Sequence, residues 1–180
     1  MNKKEKCLII APSGSGKDYL MRGLVAKGLR GCLKTTTRPQ RKNEIQGITY
    51  NFISESEFIQ SINKNKFLVH QTFNVTPENS SPETWYYGIT NQEFNDSQVF
   101  IMTPGELSNI SEDQRKKCFV VYLDIDRLVR ESRLFKRDDR NDSIVRRLDA
   151  DEIDFKNFKD YDLKITDSEF TVEDIYNLMD

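Results

Sequence analysis

Short apolar runs alternate with polar segments of helical spacing along most of the chain. Residues 7–11, 98–102 and 118–123 are almost continuously apolar, which is typical of central strands in a parallel sheet covered on both faces. From Gly16 to about Lys27 the apolar residues have helical spacing, and Gly28 and Gly31 then favour the end of the helix. This pattern predicts an α/β fold in which helices cover a central parallel sheet.

Further elements are predicted between and after these runs. Ser54 and Glu57 have the spacing of a capping box, so a helix is expected to begin there. Turn-forming residues between Val75 and Thr84 predict a loop. Additional strands are expected over residues 31–34, 47–53, 66–73 and 162–166, and a last helix over 171–179.

The segment between the first strand and the first helix has the sequence of a phosphate-binding loop. Glycines let successive backbone N–H groups turn inward, and the start of a helix adds positive potential, so phosphate is held without dedicated side chains. Lys17, at the exit of the loop, would reach the terminal phosphates. The alternative is an ordinary glycine-rich turn before a helix. The residues expected to bind ATP are Ser13, Gly14, Ser15, Gly16, Lys17 and Asp18.

Two positions depart from the P-loop pattern G-x-x-x-x-G-K-[ST]. Ala11 replaces the first glycine, and Asp18 replaces the hydroxyl residue that normally meets magnesium. A carboxylate is also a hard oxygen ligand for Mg²⁺, directly or through water. We therefore predict Asp18 as the metal-site residue, with Mg²⁺ offsetting its repulsion of polyphosphate.

Length and composition favour a single cytoplasmic domain. The chain has 180 residues, and 27 basic against 29 acidic residues give a net charge of -2. Such a balance provides no general attraction to nucleic acid or to an anionic membrane, and we expect neither as a partner. No apolar stretch reaches the roughly 20 residues that span a bilayer. Three distant cysteines and one histidine predict reduced thiols and no histidine-rich metal site.

Two segments are strongly basic. The first covers residues 34–42, and the second covers 126–148, where Arg130, Arg133 and Arg137 fall on one helical face. A charged surface exposed to solvent explains either segment. Beside a P-loop, however, the first is better explained as a clamp on a second phosphate and the second as a lid over polyphosphate.

These motifs together resemble the guanylate kinase family of nucleoside monophosphate (NMP) kinases over most of the chain. The loop Ala11–Lys17 is similar to the family's G-P-S-G-x-G-K. Residues 36–44, with Gly47 and residues 50–52, look like T-T-R-x-x-R-x-x-E, G and Y-x-F, which is the most specific match. Residues 86–88 resemble the family's Y-Y-G. Residues 133–137 and 147–148 resemble its lid patterns R-L-x-x-R and R-L.

The resemblance implies a P-loop three-layer sandwich with a small inserted NMP-binding subdomain and an arginine-rich lid. The core would comprise residues 1–34, 97–126 and 148–180, the insertion residues 35–96, and the lid residues about 127–147. The implied activity is ATP-dependent phosphoryl transfer to GMP, dGMP or another NMP, with ATP and Mg²⁺ as cofactors and small nucleotides as partners.

The resemblance also implies roles for individual side chains. The acceptor phosphate would be held by Arg38, Arg41, Tyr50 and Tyr87. The donor phosphates would be reached by Arg133, Arg137 and Arg147. Together with Lys17, the arginines of both groups are the predicted catalytic residues.

The positions that depart from the family pattern are those expected to contact the base of the acceptor nucleotide. Val69 stands where the family has a glutamate that hydrogen-bonds guanine, with His70 and Gln71 as the alternative residues for that position, while Lys34 and Ile89 replace small hydroxyl residues. Each guanine donor left unpaired in such a site costs about 1–3 kcal/mol. We therefore expect another base, unless an acceptor is supplied elsewhere. The candidates for that acceptor are Gln71, Thr90 and Thr103.

Two other functions remain open from the sequence. A catalytically silent, guanylate-kinase-like binding module would explain the lost base-reading residues. A kinase acting on a non-nucleotide phosphate ester would explain them as well. The intact lysine and arginine set favours an enzyme over the silent module.

Overall fold

A computed structural model of the chain describes residues 4–75, 81–136 and 143–179. Its strands and helices are, in chain order, β1 (Lys6–Ile10), α1 (Lys17–Ala26), β2 (Thr35–Thr36), β3 (Asn51–Phe52), α2 (Glu55–Asn63), β4 (Phe67–Val75), β5 (Glu83–Thr90), α3 (Asn91–Asp96), β6 (Val99–Met102), α4 (Pro104–Leu107), α5 (Glu112–Lys116), β7 (Cys118–Leu123), α6 (Arg127–Lys136), α7 (Ile144–Phe155), β8 (Leu163–Ile165) and α8 (Val172–Met179). They divide into two compact units: the core unit, Met1–Gly31 with Gln98–Asp180, and the inserted unit, Cys32–Ser97.

The core unit is built on a parallel sheet. Its four strands have the order β6-β1-β7-β8, and every pair is parallel. Strand β1 is central, since Cys7 is paired with Val99 on one side and with Phe119 on the other. All five residues of β1 are buried. The predicted central parallel sheet is confirmed, and the three apolar runs of the sequence form three adjacent strands of it, β6, β1 and β7.

Helices cover both faces of this sheet. Alternate residues of β1, Cys7 and Ile9, pack in one cluster with Leu20 of α1 and Ile175 of α8. On the opposite face, Tyr122 of β7 stacks on Phe155 of α7 with ring centroids 5.6 Å apart. Successive strand residues point to opposite faces, so the core unit has the predicted three layers.

The inserted unit contains a mixed sheet of order β3-β2-β5-β4. Strands β4 and β5 form a long antiparallel pair, whereas β2 is parallel to β3 and antiparallel to β5. Helix α2 covers one face, where Phe58 stacks on Phe67 at 4.3 Å between ring centroids. A Cβ at Gly88 would lie 2.6 Å from the Phe67 ring, so only glycine fits there. The capping box of Ser54 and Glu57 is confirmed at the start of α2.

Two predicted strands are wrong in extent. Within residues 47–53, only Asn51–Phe52 forms a strand. The N–H groups of Ile48 and Thr49 instead donate to the carbonyl of Ile45, and this turn leaves Ile48 72% exposed. Residues 31–34 form a single bridge from Gly31 to Val99, because the Leu33 N–H donates to a Glu93 carboxylate oxygen rather than to a strand.

The cysteines are free thiols, as the sequence predicts. Cys7 and Cys118 are buried and Cys32 is half-buried. Burial raises the pKa of the Cys7 thiol to about 12 and that of Cys118 to about 11, so both stay neutral near pH 7. Within residues 4–75, 81–136 and 143–179, none of the helices has the length and apolar character needed to cross a bilayer.

Candidate functional site

Residues 11–16 connect β1 to α1 through a tight turn of the core unit. The Ser15 N–H donates to the Pro12 carbonyl at 3.3 Å, and the first helical bond runs from the Leu20 N–H to the Gly16 carbonyl at 3.0 Å. Gly14 and Gly16 have φ values of 80° and 101°, which glycine adopts without the steric penalty of a side chain. The loop thus has the strand–turn–helix context that a P-loop requires.

Gly14 is needed for space as well as for conformation. A Cβ at this position would lie 2.7 Å from the carbonyl oxygen of Arg130 and 3.1 Å from its Cα. These are backbone atoms at the start of α6 and cannot rotate aside. The loop and α6 can therefore approach this closely only because residue 14 has no side chain.

Helix α1 begins without a side-chain cap. The helices α2, α3, α4, α5 and α7 each begin with a serine or threonine whose oxygen accepts a first-turn N–H. An N-terminus without such a cap presents backbone donors and the positive end of the helix dipole. With Lys17 as the first residue of α1, this end is suited to bind phosphate.

Two arginines of α6 bind the carbonyl groups of the loop. Arg130, only 4% exposed, donates to the carbonyls of Ile125 at 3.0 Å and Ser13 at 3.4 Å. Arg133 donates to the carbonyls of Gly14 at 3.4 Å and Ser168 at 2.8 Å. Arg133, which the resemblance assigns to the donor phosphates, therefore lies against the loop backbone.

An acidic residue of α7 binds the same loop. The Ser13 N–H donates to Asp151 Oδ2 at 2.8 Å. Asp151 Oδ2 also lies 3.6 Å from Arg130 Nη1, and Glu152 Oε1 lies 2.9 Å from Arg130 Nη2. The sequence does not indicate these roles, since 138 positions separate Ser13 from Asp151 and neither acidic residue belongs to a local motif.

The remaining predicted residues of the core unit lie on α1 and on the segment predicted as the lid. Asp18 is exposed at the second position of α1, and Arg147 is half-buried on α7. Arg137 lies outside the described residues. Across the described part of the chain, no three or more His, Cys, Asp or Glu side chains form a cluster that could hold a metal ion.

Arg38 is the buried centre of the basic segment in the inserted unit. It is 4% exposed, and its guanidinium donates to Glu44 Oε1 at 2.6 Å and to the Pro39 carbonyl at 2.8 Å. The guanidinium carbon lies 5.5 Å from the centroid of the Tyr50 ring, within the range of a cation–π interaction. The buried charge is therefore paired and held in one orientation.

Glu44 connects the two arginines of this segment. Its second carboxylate oxygen accepts the Arg41 N–H at 2.8 Å. Burial acts to raise the pKa of Glu44, but the hydrogen bonds from Arg38 and from the Arg41 backbone prevail and hold the pKa below its ordinary value. Glu44 is thus ionised at neutral pH and fixes both the Arg38 side chain and the backbone of Arg41.

Tyr87 and Tyr50 complete this cluster, with ring centroids 6.1 Å apart. Burial raises the pKa of Tyr87, while the charges of Arg38 and Arg41 and a hydrogen bond with Thr36 act in the opposite direction. The hydroxyl accordingly stays protonated at neutral pH and can donate. The structure brings together all four residues predicted for the acceptor phosphate.

Val69 lies in the core of the inserted unit. It is 3% exposed and is paired with the fully buried Ile89, while Gln71 is paired with Tyr87. Alternate strand residues share a face, so Val69 and Gln71 lie on the Tyr87 face of the sheet. The hydroxyls of the other two candidates, Thr90 and Thr103, cap α3 and α4. Gln71 therefore lies on the same sheet face of the inserted unit as Tyr87.

A family model described as guanylate kinase matches residues 3–180. The chain belongs to the guanylate kinase family. The guanylate kinase of Helicobacter hepaticus is 38% identical over 79 residues, 41% of this chain and 40% of that protein. The guanylate kinase of Helicobacter pylori is 45% identical over 71 residues, 38% of this chain and 34% of that protein. The matched segments thus span less than half of these curated relatives.

The fold of this guanylate kinase family member is also that of a solved structure. The crystal structure of guanylate kinase from Anaplasma phagocytophilum superposes with a TM-score of 0.67 at 17% identity, covering 99% of this chain and 86% of that one. At this identity the likeness concerns the fold. It confirms the mixed α/β architecture predicted from the sequence.

Replacing Gly14 by alanine should destabilise the core unit more than the same change at Gly28. Gly28 has a φ of +97° but nothing within 4 Å of an added Cβ, whereas the Gly14 Cβ would overlap the Arg130 backbone. Left-handed strain alone costs about 1–2 kcal/mol, and Gly14→Ala should lose clearly more than Gly28→Ala. Chemical denaturation of both variants measures the difference, and equal losses would show that the loop is not packed on α6 as described.

The Glu44–Arg38 bond should make the stability of the inserted unit depend on pH. Because folding lowers the pKa of Glu44, its contribution is fully present above the ordinary carboxyl value of 4.5 and is lost as pH falls through the lower folded value. Glu44→Gln should reduce the free energy of unfolding by about 1.5–3 kcal/mol at pH 7. Denaturation from pH 7 to pH 3 should show this deficit shrinking, while the exposed control Asp96→Asn changes little at any pH.

Proposed function

We propose that the protein transfers the γ-phosphoryl group of ATP to the phosphate of a nucleoside monophosphate, giving ADP and the nucleoside diphosphate. The observation that carries the proposal is the presence in one chain of two different clusters whose geometry and charge are suited to bind phosphate. One is the glycine loop with Lys17 at the start of α1, and the other is the Arg38–Arg41–Tyr50–Tyr87 cluster. Membership of the guanylate kinase family supports the same activity.

The first cluster has the features needed to bind the phosphates of the donor, ATP. Its loop has two glycines with positive φ and a helix start without a side-chain cap. Ser15 is fully buried, and its hydroxyl has no hydrogen-bond partner within the described residues; a phosphate oxygen would supply an acceptor. Lys17 would place its ammonium group at the β- and γ-phosphates. Arg133 would act through the loop carbonyls, and Arg137 and Arg147 would contact the donor directly.

Asp18 is the residue that we propose for the metal that accompanies ATP. Mg²⁺ usually keeps several waters and takes most other ligands from phosphates, so a single exposed carboxylate such as Asp18 fits. Bound there, Mg²⁺ would neutralise charge on the phosphates and offset the charge of Asp18.

The second cluster suits a dianionic acceptor phosphate. A guanidinium has five N–H donors, more than Arg38 uses in its bonds to Glu44, Pro39 and Tyr87. Tyr87 keeps its hydroxyl proton at neutral pH because burial raises its pKa. Arg41 and Tyr50 would add charge and a further hydroxyl. The fixed geometry of Arg38 favours pre-organised binding of phosphate over a flexible surface contact.

The protein contributes to this reaction mainly by aligning the two phosphates and by neutralising their charge. An oxygen of the acceptor phosphate forms a bond to the γ-phosphorus, and the bond from that phosphorus to the β–γ bridging oxygen breaks. ADP leaves with the electron pair of the broken bond. The attacking oxygen is already ionised, so no general base is required, and the rate depends on alignment and on neutralising the transferred group.

We propose that the protein prefers an acceptor base other than guanine, or turns GMP over with a poor kcat/KM. The Val69–Ile89 pair is apolar and buried, and Val69 cannot accept hydrogen bonds from the guanine N1–H and amino group. A site that leaves buried ligand donors unpaired discriminates against that ligand. Gln71, on the same face as Tyr87, has both an acceptor and donors and could read a different base edge.

Lys17→Ala should abolish phosphoryl transfer without unfolding the protein. Lys17 is half-buried at the start of α1 and outside the apolar cluster, so its loss should remove charge from the donor site rather than packing. Comparable phosphoryl-transfer charges are worth about 10³–10⁵ in rate. ADP release with NMPs and Mg²⁺ is the measurement, with the exposed Lys116→Ala as control. Normal turnover by the Lys17 variant would exclude the loop from the reaction.

Val69→Glu should shift the preference of the enzyme towards GMP. One restored set of charge-assisted hydrogen bonds corresponds to about 1–3 kcal/mol in the ratio of kcat/KM values. Competition among GMP, dGMP, AMP, dTMP and dCMP measures this ratio, and Val69→Leu controls for altered volume. A wild-type protein already selective for GMP would refute the proposed base preference and show that another residue reads guanine.

A further inference from the structure

The backbone of Ser13 is bound on both sides by oppositely charged side chains. Its N–H donates to Asp151 Oδ2 at 2.8 Å, and its carbonyl accepts from Arg130 Nη1 at 3.4 Å. The two charged groups also face each other, with 3.6 Å between Arg130 Nη1 and Asp151 Oδ2. Ser13 is therefore enclosed between the members of an ion pair at the entrance to the glycine loop.

The bond between Asp151 and Ser13 is not needed to neutralise Arg130. A buried arginine requires a charged partner, but Glu152 already lies 2.9 Å from Arg130 Nη2. The side chain of Glu152 is 52% exposed, whereas that of Asp151 is 17% exposed. Asp151 is the carboxylate that reaches the loop, and Glu152 pairs with the same arginine without touching the loop.

One side of the loop borders open space. A cavity of about 260 Å³ lies beside Pro12 and is lined on its other sides by Asp151, Arg130 and the aromatic residues Tyr122 and Phe155. Close packing of Gly14 on α6 positions one part of the loop, and the hydrogen bonds to Ser13 add to it on the side of the cavity. A bond from a backbone N–H to a carboxylate is among the stronger bonds available for this purpose.

We propose that Asp151, supported by Arg130, is a positioning residue for the donor nucleotide. It fixes Ser13, so that the N–H groups following it in the loop are aimed at the polyphosphate before ATP binds. This inference rests on the proposed function, because it assigns the loop to ATP. Asp151 itself does not touch the substrate, since its carboxylate is bonded to the loop backbone and to Arg130.

Asp151→Ala, Asp151→Asn and Glu152→Ala test the proposal as a set. Asp151→Ala should raise the KM for ATP by about ten- to a hundredfold, the fold-change for one charge-assisted hydrogen bond, and leave the acceptor KM within about twofold. Asp151→Asn keeps an oxygen that accepts the Ser13 N–H and should restore most of the affinity. Glu152→Ala, the matched control, should leave the KM for ATP unchanged.

Two further measurements separate positioning from stability and from the reaction itself. Melting curves of the two Asp151 variants should stay close to that of the wild type, because Glu152 still pairs with Arg130 in both. The same holds for Glu152→Ala, because Asp151 still lies 3.6 Å from Arg130 Nη1. Calorimetric titration with ATP and Mg²⁺, without acceptor, should reproduce the order of the KM values. If wild type binds ATP and Asp151→Ala does not, the inference holds even where no NMP is phosphorylated, and only the proposed function fails.

Three results would overturn the inference. The first is an unchanged ATP affinity in Asp151→Ala. The second is an equal loss of ATP affinity in Asp151→Ala and Glu152→Ala, which would indicate a general effect on Arg130. The third is an absence of ATP binding by the wild-type protein, since the loop that Asp151 positions would then not be a binding site for the donor nucleotide.

Discussion

A loop that binds phosphate with its backbone must have its other backbone groups satisfied elsewhere. Here charged side chains meet this requirement: Arg130 and Arg133 bind the loop carbonyls, and Asp151 takes the N–H of Ser13. Gly14 lets the loop approach the α6 backbone closely enough for these bonds. Arg130 and Arg133, which belong to the segment predicted as the lid, thus help to fix the conformation of the glycine loop. This role is separate from the proposed contacts of the lid arginines with the nucleotide. The proposed donor site depends on this arrangement.

A buried charge imposes the second constraint, in the inserted unit. An arginine as enclosed as Arg38 is stable only if it is paired and hydrogen-bonded, and Glu44, the Pro39 carbonyl and the Tyr50 ring provide this environment. The same contacts leave the guanidinium with a single orientation. A pre-oriented arginine loses less conformational entropy when it binds phosphate than a flexible surface side chain does. Stability and proposed acceptor binding therefore depend on the same pair.

Local patterns in the sequence predicted much of this structure. The three apolar runs form the adjacent strands β6, β1 and β7, and the capping box of Ser54 and Glu57 is present. Arg38, Arg41, Tyr50 and Tyr87 lie close together in the inserted unit. Each of these features is encoded by residues close together in the chain or by a motif of fixed spacing.

Features that depend on distant partners could not be predicted in the same way. The Asp151 bond to Ser13 spans 138 positions, and no local spacing indicates it. Residues 31–34 have strand-like composition, but the Glu93 side chain takes the Leu33 N–H. Around Gly47, alternation suggested a strand, whereas a turn bonded to Ile45 displaced it. In each case a tertiary or side-chain hydrogen bond outweighs a weak local preference.

The proposed activity requires one chain to bind both a phosphoryl donor and a nucleotide acceptor. Incubation with ATP labelled at the γ-phosphorus, Mg²⁺ and single NMPs, followed by separation of the products, measures this transfer. Label is expected in a nucleoside diphosphate, only when an NMP is present, with a base other than guanine preferred. Label released solely as inorganic phosphate, or retained in ATP with every NMP, would contradict the proposed transfer.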